Sequence, residues 1–241
     1  MNAITDTPYS RAWKALGEAL PRPRAILVVS AHWYIRETAV TAMERPPTIH
    51  DFGGFPPALH AIEYPAPGDP EVAREIARML APLPVSLDTE WGLDHGAWSL
   101  LLHTHPAADI PVLQLSMDAT KPPSFHYALG EQLAQLRDQG VLIIGSGNIV
   151  HNLRMMGDIH GTYDWATRFD DYIRTALQTG DRDALISYAR HPDARMAVPT
   201  PEHYLPLLYI AALARAGEDP NFIIDGSDLA SISMTAFTIG V

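Results

Sequence analysis

The stretch Ala25–Trp33, AILVVSAHW, constrains the fold of this chain more than any other. Five consecutive apolar residues, Ala25 to Val29, follow the turn-forming Pro21 and Pro23. A short, unbroken, partly β-branched run of this kind fits a strand covered on both faces, as in a parallel sheet layered by helices. The run stops at Ser30-Ala31-His32-Trp33. In open α/β sheets ligands collect in the crevice at the carboxyl ends of strands, so His32 stands where such a fold does its chemistry. A histidine that only caps a strand end gives the same local pattern. The balance shifts because other strands end in the same way.

Read in order, the chain alternates helices and strands. Trp13, Leu16 and Leu20 recur at helical spacing, so about Tyr9 to Leu20 is a helix opened by Asp6-Thr7-Pro8. Strands are predicted at Glu37–Met43, Val85–Leu87, Pro111–Ser116 and Val141–Ile144, with closing strands at Phe222–Ile224 and Ser231–Ile239. Helices are predicted at Asp69–Leu83, from after Trp98 to about His103 with His95 in the turn before it, and at Ser124–Gln139, Trp165–Leu177 and Asp181–Arg190. Thr200 caps a last helix running to about Ala216, which puts His203 in its first turn, where the helix dipole favours a neutral imidazole. The expected fold class is α/β, a central mixed β-sheet with helices on both faces. No linker, repeat or low-complexity segment interrupts it, so residues 1–241 read as a single domain.

The long connection Arg45–Gly68 is rich in proline and carries His50-Asp51-Phe52-Gly53-Gly54-Phe55. Loops of this length inside compact domains are commonly functional. His50, Phe52 and Phe55 are therefore candidate substrate-binding residues, in an ordered loop that covers something. A rigid surface loop would have the same composition.

The balance of 17 basic and 28 acidic residues gives a net charge of −11. Such a surface repels phosphate backbones, so no nucleic-acid partner is expected. No apolar run is long enough to span a bilayer and no signal peptide opens the sequence, which suggests no membrane partner and a cytoplasmic location. With no cysteine, disulfides and thiolate metal sites are ruled out. His32, His151 and His203 each stand near an expected strand end or helix start, and His95 of Asp94-His95-Gly96 is a fourth candidate. Three neutral imidazoles with an open position suit Zn(II) or non-haem Fe(II). Asp94 equally fits a plain helix cap with His95 exposed beside it.

Longer segments narrow this further. SAHW, PPTIHDFGGFP, YPAPG, GLDHGAW, SGNIVHNLR and PTPEHYLPLLY resemble, in order and along essentially the whole chain, the DODA-type extradiol aromatic ring-cleavage dioxygenases. These belong to the class III extradiol superfamily, together with protocatechuate 4,5-dioxygenase. The resemblance implies catalytic Fe(II), with Zn(II) able to occupy the same place, and a catechol and O2 as substrates. It implies His32 and His203 as metal ligands, His151 as a ligand or acid/base, and His95 as a further catalytic histidine. It implies extradiol cleavage of the ring to a muconate semialdehyde.

The family opens with a strand ending Gly-His-Gly-Ser-Pro-Met, and this sequence begins at the matching Met. On that reading the chain is truncated at its N-terminus, the 241-residue form is impaired, and one ligand and one strand are missing. Two other functions stay open from the sequence: a non-catalytic Memo-like binding protein of the same superfamily, and a zinc-dependent hydrolase with Glu202 as its base.

Overall fold

The structure is a computed structural model and describes residues 2–157 and 161–241. The chain forms two compact units. The first runs to Thr120 and includes Gln132–Ser146; the second comprises Lys121–Glu131 and Gly147–Val241.

The first unit holds α1 (Pro8–Ala19), β1 (Ala25–Ile35), β2 (Ala39–Thr41), α2 (Pro57–His60), α3 (Pro70–Met79), β3 (Ser86–Asp88), α4 (His95–Thr104) and β4 (Val112–Asp118). After α5 (Pro123–Leu133), which crosses the boundary, it is completed by α6 (Gln135–Asp138) and β5 (Val141–Ser146). The strands form one sheet in the order β3-β2-β4-β1-β5. β1 runs parallel to β4 and to β5, and β2 is parallel to β3 but antiparallel to β4. The sheet is therefore mixed and flanked by helices, as expected.

β1 lies at the heart of this arrangement. Every residue from Ala25 to Val29 is 0% exposed. Successive strand side chains point to opposite faces, so both faces of β1 are covered. Burying an Ile or Val side chain in this way contributes about 1.5–3 kcal/mol. Ile26 and Val28 share a core with Tyr64, Leu93, Trp98, Leu101 and Val112. α1 begins as its sequence requires: the Thr7 hydroxyl accepts from the Ser10 backbone N–H, and Pro8 supplies the first helical φ.

The second unit contains α7 (Asp164–Thr179), α8 (Arg182–Ile186), α9 (Ala194–Ala197) and α10 (Leu205–Ala211). Its described residues also form the short strands β6 (Asn221–Ile224), β7 (Ser227–Asp228), β8 (Ile232–Ser233) and β9 (Ala236–Thr238). α7 buries Ala166, Phe169, Ile173, Ala176 and Leu177 at helical spacing and ends at Gly180, whose φ of 63° closes the helix.

The structure corrects several expected boundaries. β1 continues past His32 to Ile35, so that histidine lies within the strand, where the register with β4 shifts between Val29 and Tyr34. The closing strands do not join the main sheet; β6 pairs with β9, and β7 with β8. The helix expected over Ser124–Gln139 breaks at Ala134 into α5 and α6. The last helix begins at Leu205 rather than after Thr200. Pro206 sits in its first turn, the position that tolerates a missing N–H, and His203 precedes the helix in a turn. Among the described residues no helix is long and apolar enough to cross a membrane.

Candidate active site

Within the first unit, β1 and α4 are joined beneath His32 and His95 by a buried polar network. Asp94, Ser30 and Gln114 are each 0% exposed. The Asp94 carboxylate accepts from Ser30 Oγ at 2.8 Å, from Gln114 Nε2 at 2.6 Å and from the Ala97 backbone N–H at 3.1 Å. Gln114 Oε1 in turn accepts the Asp94 N–H at 2.8 Å. A buried charge persists only when its oxygens are satisfied, and here each is. Asp94 is thus the cap of α4, as one reading of its sequence had it, and that cap fixes His95 as the first helical residue. Gly96 has no room for a side chain, because a Cβ would come within 2.5 Å of Ser30 Oγ.

On this platform the His32 and His95 rings stack, with centroids 3.9 Å apart and planes 29° apart. Their Nδ1 atoms both turn to Asp51, His32 to Oδ2 at 3.2 Å and His95 to Oδ1 at 3.0 Å. The distances are those of hydrogen bonds, although neither N–H axis is aimed straight at its oxygen. Oδ1 also accepts the His95 backbone N–H at 2.8 Å. Burial pushes the Asp51 carboxyl up, but the His32 and His95 rings and the His95 backbone N–H outweigh it and hold the carboxyl well below the usual range.

His32, Asp51 and His95 offer ligand atoms that all lie within 4.8 Å of one another. Two imidazoles and a carboxylate form a donor set suited to Fe(II) or Zn(II), so these residues fit a divalent metal. Asp51 did not stand out in the sequence as a site residue. The one signal was its position between His50 and Phe52 in an aromatic, glycine-containing loop.

That loop is ordered by identifiable contacts. Ile49 N–H donates to Leu93 O at 2.7 Å, Leu93 N–H donates to Pro47 O at 2.8 Å, and Trp98 Nε1 donates to Ile49 O at 2.9 Å. His50 Nε2 lies 2.9 Å from Ile62 O. A carbonyl only accepts, so Nε2 carries the proton, and this ring fastens the loop. Phe52 stands edge-on to His95, with centroids 5.2 Å apart, and also touches Phe55 at 5.5 Å and His60 at 4.8 Å. Phe55 is 44% exposed. Phe52 thus packs against His95, and Phe55 packs against Phe52 at an exposed position.

The second unit brings together His151 and His203, whose rings stack 3.5 Å apart and 5° from parallel. His203 Nδ1 lies 3.1 Å from Asn148 Oδ1, and Asn148 Nδ2 donates to Ser233 O at 2.7 Å. The second bond sets the amide so that its oxygen faces the imidazole. His203 therefore carries its proton on Nδ1, and in the neutral ring the lone pair is on Nε2. Asn148, rather than a helix dipole, sets the protonation pattern of the neutral ring. Gly147 lets the turn approach closely, since a Cβ there would lie 2.2 Å from His203 O. His151 is held by its backbone, which donates to Ala197 O and bridges to Ile232. Glu202, the base in the hydrolase reading, accepts a bond from Thr200 Oγ1 at 2.7 Å on an exposed turn.

Comparison with known proteins agrees with this chemistry. Residues 5–236 match the family described as the catalytic LigB subunit of aromatic ring-opening dioxygenase. The 4,5-DOPA dioxygenase extradiol of Escherichia coli (strain K12) is 49% identical over 248 residues, covering 100% of this chain and 91% of its own length. That of Beta vulgaris is 42% identical over 203 residues, covering 82% of this chain and 75% of its own. A crystal structure of an uncharacterised protein from Escherichia coli K12 superposes with a TM-score of 0.87 at 43% identity, over 98% of this chain and 94% of the other.

Proposed function

The chain belongs to the LigB family of aromatic ring-opening dioxygenases, and from that premise we propose that it is an extradiol enzyme that opens a catechol ring with O2. It is a dioxygenase, so the reading as a non-catalytic binding protein lapses. The proposal adds a DOPA-like or related catechol as substrate, a muconate semialdehyde as product and Fe(II) as the working metal, with Zn(II) as an alternative occupant. The observation that carries it is the convergence of His32, His95 and Asp51, with Phe52 packed against His95.

Both atoms of O2 enter the product as the ring C–C bond next to the diol breaks, so no external reductant is needed. Bound iron would supply Lewis acidity toward the two ring hydroxyls and the electrons that make O2 reactive. On the family resemblance, His32 and His203 would hold the metal. His151 either joins them or moves a proton, and His95 assists catalysis. A neutral imidazole can accept a phenolic proton and later return it, because its pKa lies near working pH. Phe52 and Phe55 bound the face of the ring and exclude water, and His50 keeps their loop in place. The enzyme's small-molecule partners are then the catechol and O2.

The test is metal content followed by oxygen uptake with DOPA and simple catechols. One O2 consumed per catechol, with growth of semialdehyde absorbance, supports the proposal. Ester or amide hydrolysis with no O2 consumption would replace it with the hydrolase reading.

A further inference from the structure

We propose that Asp51 is a positioning residue, which holds His32 and His95 together in one tautomer and one orientation. The proposal rests on reading His32 and His95 as metal-binding and catalytic groups. It assigns the carboxylate between them a role that neither the sequence motifs nor the family comparison supplies.

Three observations carry it. First, both rings present Nδ1, and not Nε2, to a single carboxylate. An ionised carboxylate only accepts hydrogen bonds, so each Nδ1 carries a proton and the lone pair of each neutral ring is on Nε2. Second, the carboxylate is itself fixed. Oδ1 accepts the His95 backbone N–H at 2.8 Å as well as facing that ring, and Oδ2 faces His32. A carboxylate that accepts the His95 backbone N–H and faces both Nδ1 atoms is held in place and well set as an anchor for the two rings. Third, both Nδ1 atoms are shielded from solvent although the side chains are 19% and 33% exposed. The accessible edge of each ring is therefore not the Nδ1 edge, and contact with a metal or substrate runs through the opposite side.

The physical effect is familiar from other metal sites. A carboxylate on the second nitrogen of a histidine fixes its tautomer and its angle and makes the first nitrogen more basic. Here one carboxylate serves two rings, which locks their mutual stacking at 3.9 Å as well. Losing such a partner typically costs about 10–100-fold in metal affinity or activity.

The first experiment uses the wild-type protein without metal, with histidine labelled by nitrogen-15. Long-range proton–nitrogen spectra would be recorded, and signals assigned by their loss in His32→Gln and His95→Gln. Both rings are expected to be Nδ1–H tautomers. Nε2–H tautomers would overturn the proposal, because bare Nδ1 atoms facing a carboxylate need a cation between them, which would make Asp51 a ligand.

The second experiment compares Asp51→Asn, Asp51→Ala and Asp51→Glu for Co(II) affinity and melting temperature. Asn and Ala should weaken metal binding about 10–100-fold and scramble the tautomers, with Glu recovering part of the loss. Unchanged affinity and tautomers would overturn the proposal, and the wild-type spectra decide it even if a variant does not fold. Wild-type protein that shows the tautomers but consumes no O2 with any catechol would defeat the proposed function and leave the role of Asp51 standing.

Discussion

His151 and His203 stack face to face with ring centroids 3.5 Å apart, and His203 Nδ1 lies 3.1 Å from Asn148 Oδ1. Asn148 sets the tautomer of His203, and the His151 backbone N–H donates to Ala197 O. We expect His203→Ala to lose most of its bound iron or zinc. His151→Ala should keep substantial metal yet turn over about a hundredfold more slowly, the usual scale for a positioned acid/base. Metal analysis beside single-turnover rates checks both. Full metal in His203→Ala would remove that residue from the ligand set, and complete loss in His151→Ala would add His151 to it.

Phe52 meets His95, Phe55 and His60, whereas Phe55 is 44% exposed. Phe52→Ala should therefore raise KM severalfold and broaden the range of accepted catechols. Phe55→Ala should have the smaller effect. Metal content should be unchanged in both. Steady-state kinetics across a series of ring substituents tests this, and wild-type behaviour with every catechol would assign the loop another role.

Gly96 lies where a Cβ would come within 2.5 Å of Ser30 Oγ and 3.2 Å of the Asp94 carboxylate. Overpacking a rigid buried site typically costs about 1–3 kcal/mol. Gly96→Ala should lower the melting temperature accordingly. It should also slow turnover, because the shift is passed to His95, the preceding residue. Calorimetry and turnover measured on the same sample would show the effect, and a neutral result would mean that the Ser30–Asp94 contact yields easily.

Asp170 on α7 is mostly buried. Burial raises its carboxyl above the ordinary range, opposed by hydrogen bonds from Ser233 and Thr235 and by the Arg174 charge. The folded pKa lies above the unfolded one. Its contribution to stability is thus full below the ordinary aspartate range and is lost as pH rises through the raised folded value. Asp170→Asn should therefore gain stability relative to wild type as pH rises from acid toward neutral. Parallel denaturant titrations across that window check the sign, and a difference independent of pH would refute it.

What could be read from the sequence was local. The apolar run of β1, the helix start at Thr7–Pro8 and the reading of Asp94 as a helix cap each follow from adjacent residues, and each matches the structure. What could not be read depends on residues distant in the chain. Asp51 meets His95 across 44 positions, and Asn148 meets His203 across 55. Gln114 completes the Asp94 network from a neighbouring strand. No periodicity encodes such pairings, because they arise only once the backbone has brought the partners together. The start of α10 was misplaced for a related reason. Thr200 and Pro201 have the composition of a helix start, but the chain makes a separate turn there, with Thr200 bonding to Glu202 instead.

The register shift in β1 has a dynamic consequence. Pairing with β5 ends at Ser30, and pairing with β4 slips between Val29 and Tyr34, so His32 lies where the ladder on both sides is interrupted. Backbone amides of Ile26 to Val29 should exchange with solvent only when the whole sheet opens, whereas those of Ala31 to Trp33 should exchange through small local openings. Deuterium uptake at these few amides would then act as a built-in gauge of ligand occupancy. Anything that draws His32 into a fixed arrangement would slow uptake there and leave the adjoining, already locked part of the same strand unchanged.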